Sequence, residues 1–196
     1  MTDPTTTAGA ATGPARFATT RYTLESTSSG ERFEYATSAR GPDGRFRFVW
    51  TLAAGKTGPI EHVHETETER FEVVSGTIRI WLRGAPRDHV AGDVVVVAPG
   101  VPHRFLHPGR EPVVVNVTLD GTRMEDSMVP LAVATHGRAL RAGDLLRMVA
   151  GLGRPYPSKS TSPVTGALVD LAVALLRLVG VRPLPPVVGW DAAGAP

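Results

Sequence analysis

His62 and His64 are separated by a single residue, Glu69 follows after a short polar loop, and His103 stands just beyond a Pro99-Gly100 turn. Side chains on a β-strand alternate in direction, so the two histidines at i and i+2 share a face. Imidazole nitrogens and carboxylate oxygens are the donors that first-row transition ions accept. Were these segments to converge, they would form a three-histidine, one-glutamate site for one divalent ion, with Fe, Mn, Ni, Cu, Co and Zn all compatible. An isolated histidine is better explained by an ordinary hydrogen bond. Four donors at this spacing favour the ion.

The same alternation extends the site. Glu69, Phe71 and Val73 share a face of one strand, and His103, Phe105 and His107 share a face of another. If the ligands point inward, Phe71, Phe105 and His107 line the same pocket, an apolar cavity with a few polar groups, as small-molecule sites usually are. For His107 two roles stay open: a hydrogen bond to substrate, or closure of its strand end. His89, within Arg87-Asp88-His89, is expected in a solvated turn, and His136 on the surface. Glu61, Glu65 and Glu67 are expected to form a solvated acidic loop. Whether Phe46, Phe48 and Trp50 face the pocket depends on register, which the sequence leaves open.

The elements that must position these residues are short apolar runs broken by turns. Arg45–Leu52 alternates, Ser75-Gly76 separates Phe71–Val74 from Thr77–Leu82, and Gly92, Pro99-Gly100 and Gly109 punctuate the runs that follow. That pattern predicts an all-β core, an antiparallel barrel or sandwich, over residues 21–122. From 123 to 196 the expectation is a helical C-terminal extension. Leucines recur at helical spacing in Ala139–Ala150, and Ser162-Pro163 caps a helix reaching about Val179. Its stripe of Leu168, Leu171, Leu175, Leu178 and Val179 is expected to pack on its own domain, with a dimer interface, a lid over the barrel mouth and peripheral membrane contact as the alternatives. Residues 1–20, rich in Thr, Ala and Gly, are expected to be a disordered tail.

Composition narrows the function. The 196 residues hold no cysteine, so thiolate ligands, cysteine nucleophiles and disulfides are excluded and any metal is held by nitrogen and oxygen. A net charge of +2 gives no reason to expect nucleic acid as a partner. The longest apolar run, Val164–Val179, contains Asp170 and Arg177, so no membrane span is expected and the chain is read as cytoplasmic.

Beyond these residues, Gly58 to Gly76 resembles the first conserved motif of the cupins, carried by His62, His64, Glu69 and Gly76. Gly92-Asp93 through Pro99, Gly100 and His103 resembles the second. The chain departs from the family pattern in three places: Pro99 falls one position late, His107 replaces the usual asparagine, and the early glycine is Gly58 or Gly55. The resemblance implies a single jelly-roll barrel in a small metal-binding cupin near the quercetin dioxygenases. It also implies that Glu69 can act as a base on a substrate hydroxyl, that dioxygen is a co-substrate, and that barrels pair through sheet edges into a homodimer. The expected activity is therefore a dioxygenase of secondary metabolism acting on a small aromatic or polyketide-like molecule, with Glu69 and His107 as catalytic residues. Two alternatives stand beside it: a non-redox cyclase, isomerase or lyase using the same ion, and a small-molecule sensor.

Overall fold

A computed structural model describes residues 13–20, 22–26, 29–135, 138, 140–152 and 157–191. Its strands run in the order β1 (Thr23–Ser26), β2 (Glu31–Thr37), β3 (Arg45–Leu52), β4 (His62–Val63), β5 (Glu69–Ser75) and β6 (Thr77–Leu82). Then follow β7 (Ala85–Val90), β8 (Val94–Val97), β9 (His103–Leu106) and β10 (Val113–Asp120). The helices α1 (Arg123–Thr135), α2 (Ala142–Gly151) and α3 (Pro163–Leu178) come after them, with a short strand β11 (Lys159–Ser160) between the last two.

The strands form two antiparallel sheets, β1-β2-β3-β10-β5-β8 and β11-β4-β9-β6-β7. Burial follows the pleat: along β5, Glu69, Phe71 and Val73 are buried while Arg70, Glu72 and Val74 are not. Phe71, Val73, Ile78, Ile80, Phe105 and Val115 belong to one apolar core with the aromatic residues of β3. Gly76, at φ +82°, makes the tight turn from β5 to β6, a backbone conformation that suits glycine. The all-β core with helices following it agrees with the sequence-based expectation. Polar β7 was not foreseen. There His89 is buried within a strand and not solvated in a turn, because it pairs with Ile78 on the inner side of the sheet edge.

Part of the expected N-terminal tail has a fixed place. Asn116 on β10 accepts a hydrogen bond from the Phe17 amide (3.0 Å) and donates one to the Ala15 carbonyl (2.8 Å), which holds this segment against the sheet. His136 lies outside the described residues.

In the extension, α1 contains Pro130, which lacks an amide proton and conceals the helix from a sequence reading. It docks through Val129 and Leu131, each contributing about 2 kcal/mol on burial. Glu125 on α1, 1% exposed, accepts hydrogen bonds from Ser38 Oγ (2.5 Å), the Ala39 amide (2.8 Å) and Trp190 Nε1 (2.8 Å). Trp190 in turn packs edge-on against Tyr35 and Phe46, at centroid distances of 6.0 and 6.2 Å. The chain's last described segment is thereby latched to the β core. Helix α3 begins as expected, with Ser162 Oγ accepting from the Thr165 amide and Pro163 in the first turn. Its leucine stripe, however, does not pack on its own domain: only Val173 of this helix is buried, and the stripe faces outward. No helix among the described residues is long and apolar enough to cross a membrane.

Candidate metal centre

Strand pairing brings the four donors together. His62 on β4 lies opposite His103 on β9, so their rings approach to a centroid distance of 4.2 Å. His64 follows β4 and Glu69 opens β5 on the facing sheet. One ligand atom from each of His62, His64, Glu69 and His103 lies within 4.8 Å of the others, and all four residues are buried. A tight cluster of buried donors of this kind could hold a metal ion.

The hydrogen bonds test that fit. Each Nδ1 meets a backbone carbonyl: His62 that of Ile60 (2.7 Å), His64 that of Pro157 (2.5 Å) and His103 that of Val101 (2.9 Å). A carbonyl can only accept, so the proton of each ring belongs on Nδ1 and the lone pair on Nε2. The Nε2 atoms of His64 and His103 are each 3.1 Å from the same oxygen, Glu69 Oε2. Lone pairs facing a carboxylate repel unless a cation stands between them, either a proton or a metal ion. Anchoring Nδ1 to an outer acceptor is also how metal-binding histidines are oriented. The residues fit a divalent transition ion.

Electrostatics describe the same cluster with a proton as that cation. Burial alone would raise the Glu69 carboxyl, but protonated His103 and His64 donate to it and hold it at about 2. Burial and the neighbouring His103 push His62 down to about 4, which keeps it a neutral donor. His64 moves upward: burial lowers it, yet the adjacent Glu69 more than compensates.

Beside the cluster lies a cavity of about 200 Å³ whose lining includes His62 and Glu69. Its walls are Phe33, Phe48, Trp50, Phe71 and Phe105, with Val117 behind them, and Met124 and Met128 of α1 cover one side. Phe71 and Phe105 meet edge to face at 5.1 Å, as do Trp50 and Phe105. Gly58 serves this packing, because a Cβ there would come within 2.9 Å of the Trp50 ring. Phe71 and Phe105 both line this cavity, and β3 contributes Phe48 and Trp50 to it, while Phe46 packs in the core beside Tyr35.

His107 does not join the site. It is 1% exposed, but Nδ1 lies 2.9 Å from the Thr77 carbonyl and Nε2 meets the Glu111 carbonyl. It shares the inward face of β9, yet it lies past the strand's end, where the backbone of Thr77 on β6 and of Glu111 in the following turn occupies its two nitrogens. It closes its strand and is absent from the cavity lining.

The acidic loop is likewise more than a solvated one. Glu65 pairs with Lys159 (3.2 Å) and Glu61 accepts from Thr161 (3.0 Å), both on the segment around β11. Glu67, 3% exposed, accepts from the Arg123 amide at the start of α1 (2.8 Å). A buried carboxylate at a helix start is a favourable placement, because the unpaired amides and the helix dipole both attract it. A polar loop preceding a buried strand gave no hint of that partner, 56 residues away.

Residues 48–120 match the family model Cupin_2, described as a cupin domain. The β core has the cupin fold. Among solved structures, the chain is similar to an RmlC-like cupin from Shewanella frigidimarina (19% identity, 58% of this chain and 97% of that one, TM-score 0.47). It is also similar to KdgF from Halomonas sp. (19% identity, 55% and 94%, TM-score 0.45). A sugar phosphate isomerase of the cupin superfamily from Silicibacter pomeroyi is comparable (20% identity, 48% and 61%, TM-score 0.43). No curated protein matches the chain in sequence.

Proposed function

We propose that this chain is a metal-dependent cupin enzyme of the quercetin dioxygenase type. In this reading His62, His64, Glu69 and His103 hold one divalent transition ion, and the substrate occupies the aromatic cavity. The observation that carries the proposal is the convergence of carbonyl-anchored histidines on Glu69 at the wall of an apolar pocket. The ion would supply Lewis acidity and, when redox-active, the one-electron chemistry that lets dioxygen react with a closed-shell organic molecule.

The chain's own residues do the rest. Hydrogen bonds from Nδ1 to Ile60, Pro157 and Val101 fix the ring planes before anything binds. Phe71, Phe105 and Trp50 hold a planar substrate and exclude water, which strengthens every charge interaction beside it. Glu69, a carboxylate on the cavity wall beside the ion, can take the proton of a substrate hydroxyl.

Cavity size narrows the substrate. About 200 Å³ is below the range of drug-sized ligand pockets and suits a single ring or a compact 1,3-dicarbonyl, not the three rings of a flavonol. Among the described residues the lining has no Lys, Arg, Asn or Gln to bind sugar hydroxyls or a phosphate, which favours an apolar substrate over a sugar phosphate.

The test is oxygen consumption by protein loaded in turn with Fe(II), Mn(II), Ni(II) and Cu(II), using a panel of single-ring enols, catechols and 1,3-dicarbonyls. Uptake with at least one pair, lost by at least 100-fold in Glu69→Gln, is the expected result. Turnover of the same panel without oxygen uptake would replace the oxygenase reading with the non-redox one. Binding without turnover would make the protein a sensor.

A further inference from the structure

We propose that the outward face of α3 is the seam of a homodimer, in which the helix packs antiparallel against α3 of a second copy. Val164, Leu168, Leu171, Leu175 and Leu178 are 67, 60, 54, 50 and 82% exposed. They are spaced four, three, four and three residues apart. This is the alternation that turns a 3.6-residue helix into a two-helix seam, since it repeats every 3.5 residues. Ala167 and Ala174 stand exposed beside Leu168 and Leu175 on the same face, and their small side chains let a second helix approach closely. No charge interrupts the seam. The opposite side is already used: Val173 is buried, and Arg177 donates to the carbonyls of Ala150 (2.9 Å) and Leu152 (2.8 Å) at the end of α2.

The kind of occupant follows from the shape and size of the stripe. A membrane-surface helix carries a wide apolar half, aromatic residues and a basic rim, whereas α3 has a narrow seam, no aromatic residue and one arginine. Covering the stripe would remove about 600 Å² of apolar surface per copy, on the order of 1,200 Å² for a pair, the lower bound of a specific stable interface. An uncovered patch of this size is at the upper end of what monomers expose, and such patches often mark interaction sites. Two copies related by a twofold axis satisfy both stripes with one contact. Antiparallel packing also opposes the helix dipoles. The register of fullest overlap sets Leu171 on the axis, facing its own copy, with Leu168 opposite Leu175 and Val164 opposite Leu178.

The absence of cysteine makes this register testable. Light scattering of the purified chain at tens of micromolar is expected to give twice the chain mass. In Leu171→Glu/Leu175→Glu the dimer constant should weaken at least 100-fold with an unchanged circular dichroism spectrum, since both side chains are half exposed. Under mild oxidation Leu171→Cys should crosslink to itself. Leu178→Cys should not, yet should crosslink when mixed with Val164→Cys. A monomeric wild type, a dimer that survives the double glutamate variant with its fold intact, or self-crosslinking of Leu178→Cys would each overturn the proposal.

Discussion

The Nδ1 of His64 is 2.5 Å from the carbonyl of Pro157, 93 residues further along the chain. One donor of the candidate metal centre is thus oriented by the helical extension and not by the barrel. Strand β11 reinforces the link, pairing Lys159 with Val63 and Ser160 with His62. Removing such an outer acceptor typically costs 10–100-fold in metal affinity. Ser160→Pro, which breaks the β11–β4 pairing, is therefore expected to weaken metal binding about 10-fold. Calorimetric titration with Zn(II) or Ni(II) checks this. Unchanged affinity would mean that the extension does not position His64.

His107 makes the opposite case, a histidine that resembles a pocket residue and serves the backbone. Removing its ring, itself 1% exposed, empties a buried site and takes a partner from the carbonyls of Thr77 and Glu111. His107→Ala is expected to lower stability by about 2 kcal/mol while leaving metal stoichiometry unchanged. Urea denaturation and elemental analysis of the same preparation read both quantities. A loss of metal with intact stability would return His107 to the site.

Glu125 latches the end of the chain to the β core. Glu125→Ala would strand three donors, Ser38 Oγ, the Ala39 amide and Trp190 Nε1, and is expected to cost about 3 kcal/mol. The indole should become exposed in the same variant, which a red shift of tryptophan fluorescence would report.

The Arg138–Asp144 pair gives a pH dependence. Both guanidinium nitrogens reach the carboxylate, at 2.7 and 2.8 Å, and the Arg141 amide adds a third hydrogen bond at 2.9 Å. The Arg138 contact, followed by the Arg141 amide, lowers the Asp144 carboxyl to about 2. A carboxyl lowered on folding stabilises the fold above its unfolded value of 3.8 and loses that contribution as pH falls toward 2. The stability difference between wild type and Asp144→Asn should therefore be constant near neutrality and shrink from about pH 4 downward. Hydrogen exchange of the α2 amides at several pH values would show it.

How much of this was legible in the sequence depends on the kind of contact involved. His62, His64, Glu69 and His103 could be grouped because strand alternation fixes their faces and turn residues mark the strands between them. Phe71 and Phe105 followed by the same period. That period says which face a side chain takes but not what it meets there, and so it left His107 open between the pocket and its strand's end. It also left Trp50 and Phe48 open until the β3–β10 register was known. Pro157 was invisible because it acts through its backbone carbonyl, which leaves no trace in residue type. Helix α1 was obscured by Pro130, a residue that breaks most helices but is buried here. The stripe on α3 was readable as a stripe, yet no sequence pattern says whether a domain covers its own apolar face.

The central claim is that the four residues hold one metal ion, and elemental analysis of the purified chain tests it most directly. Wild-type protein incubated with excess Zn(II), Ni(II) or Fe(II) and then desalted should retain about one ion per chain. The His62→Ala/His64→Ala variant should retain essentially none while keeping its β-sheet circular dichroism. Stoichiometric metal in the double variant, or none in wild type with any of these ions, would contradict the account.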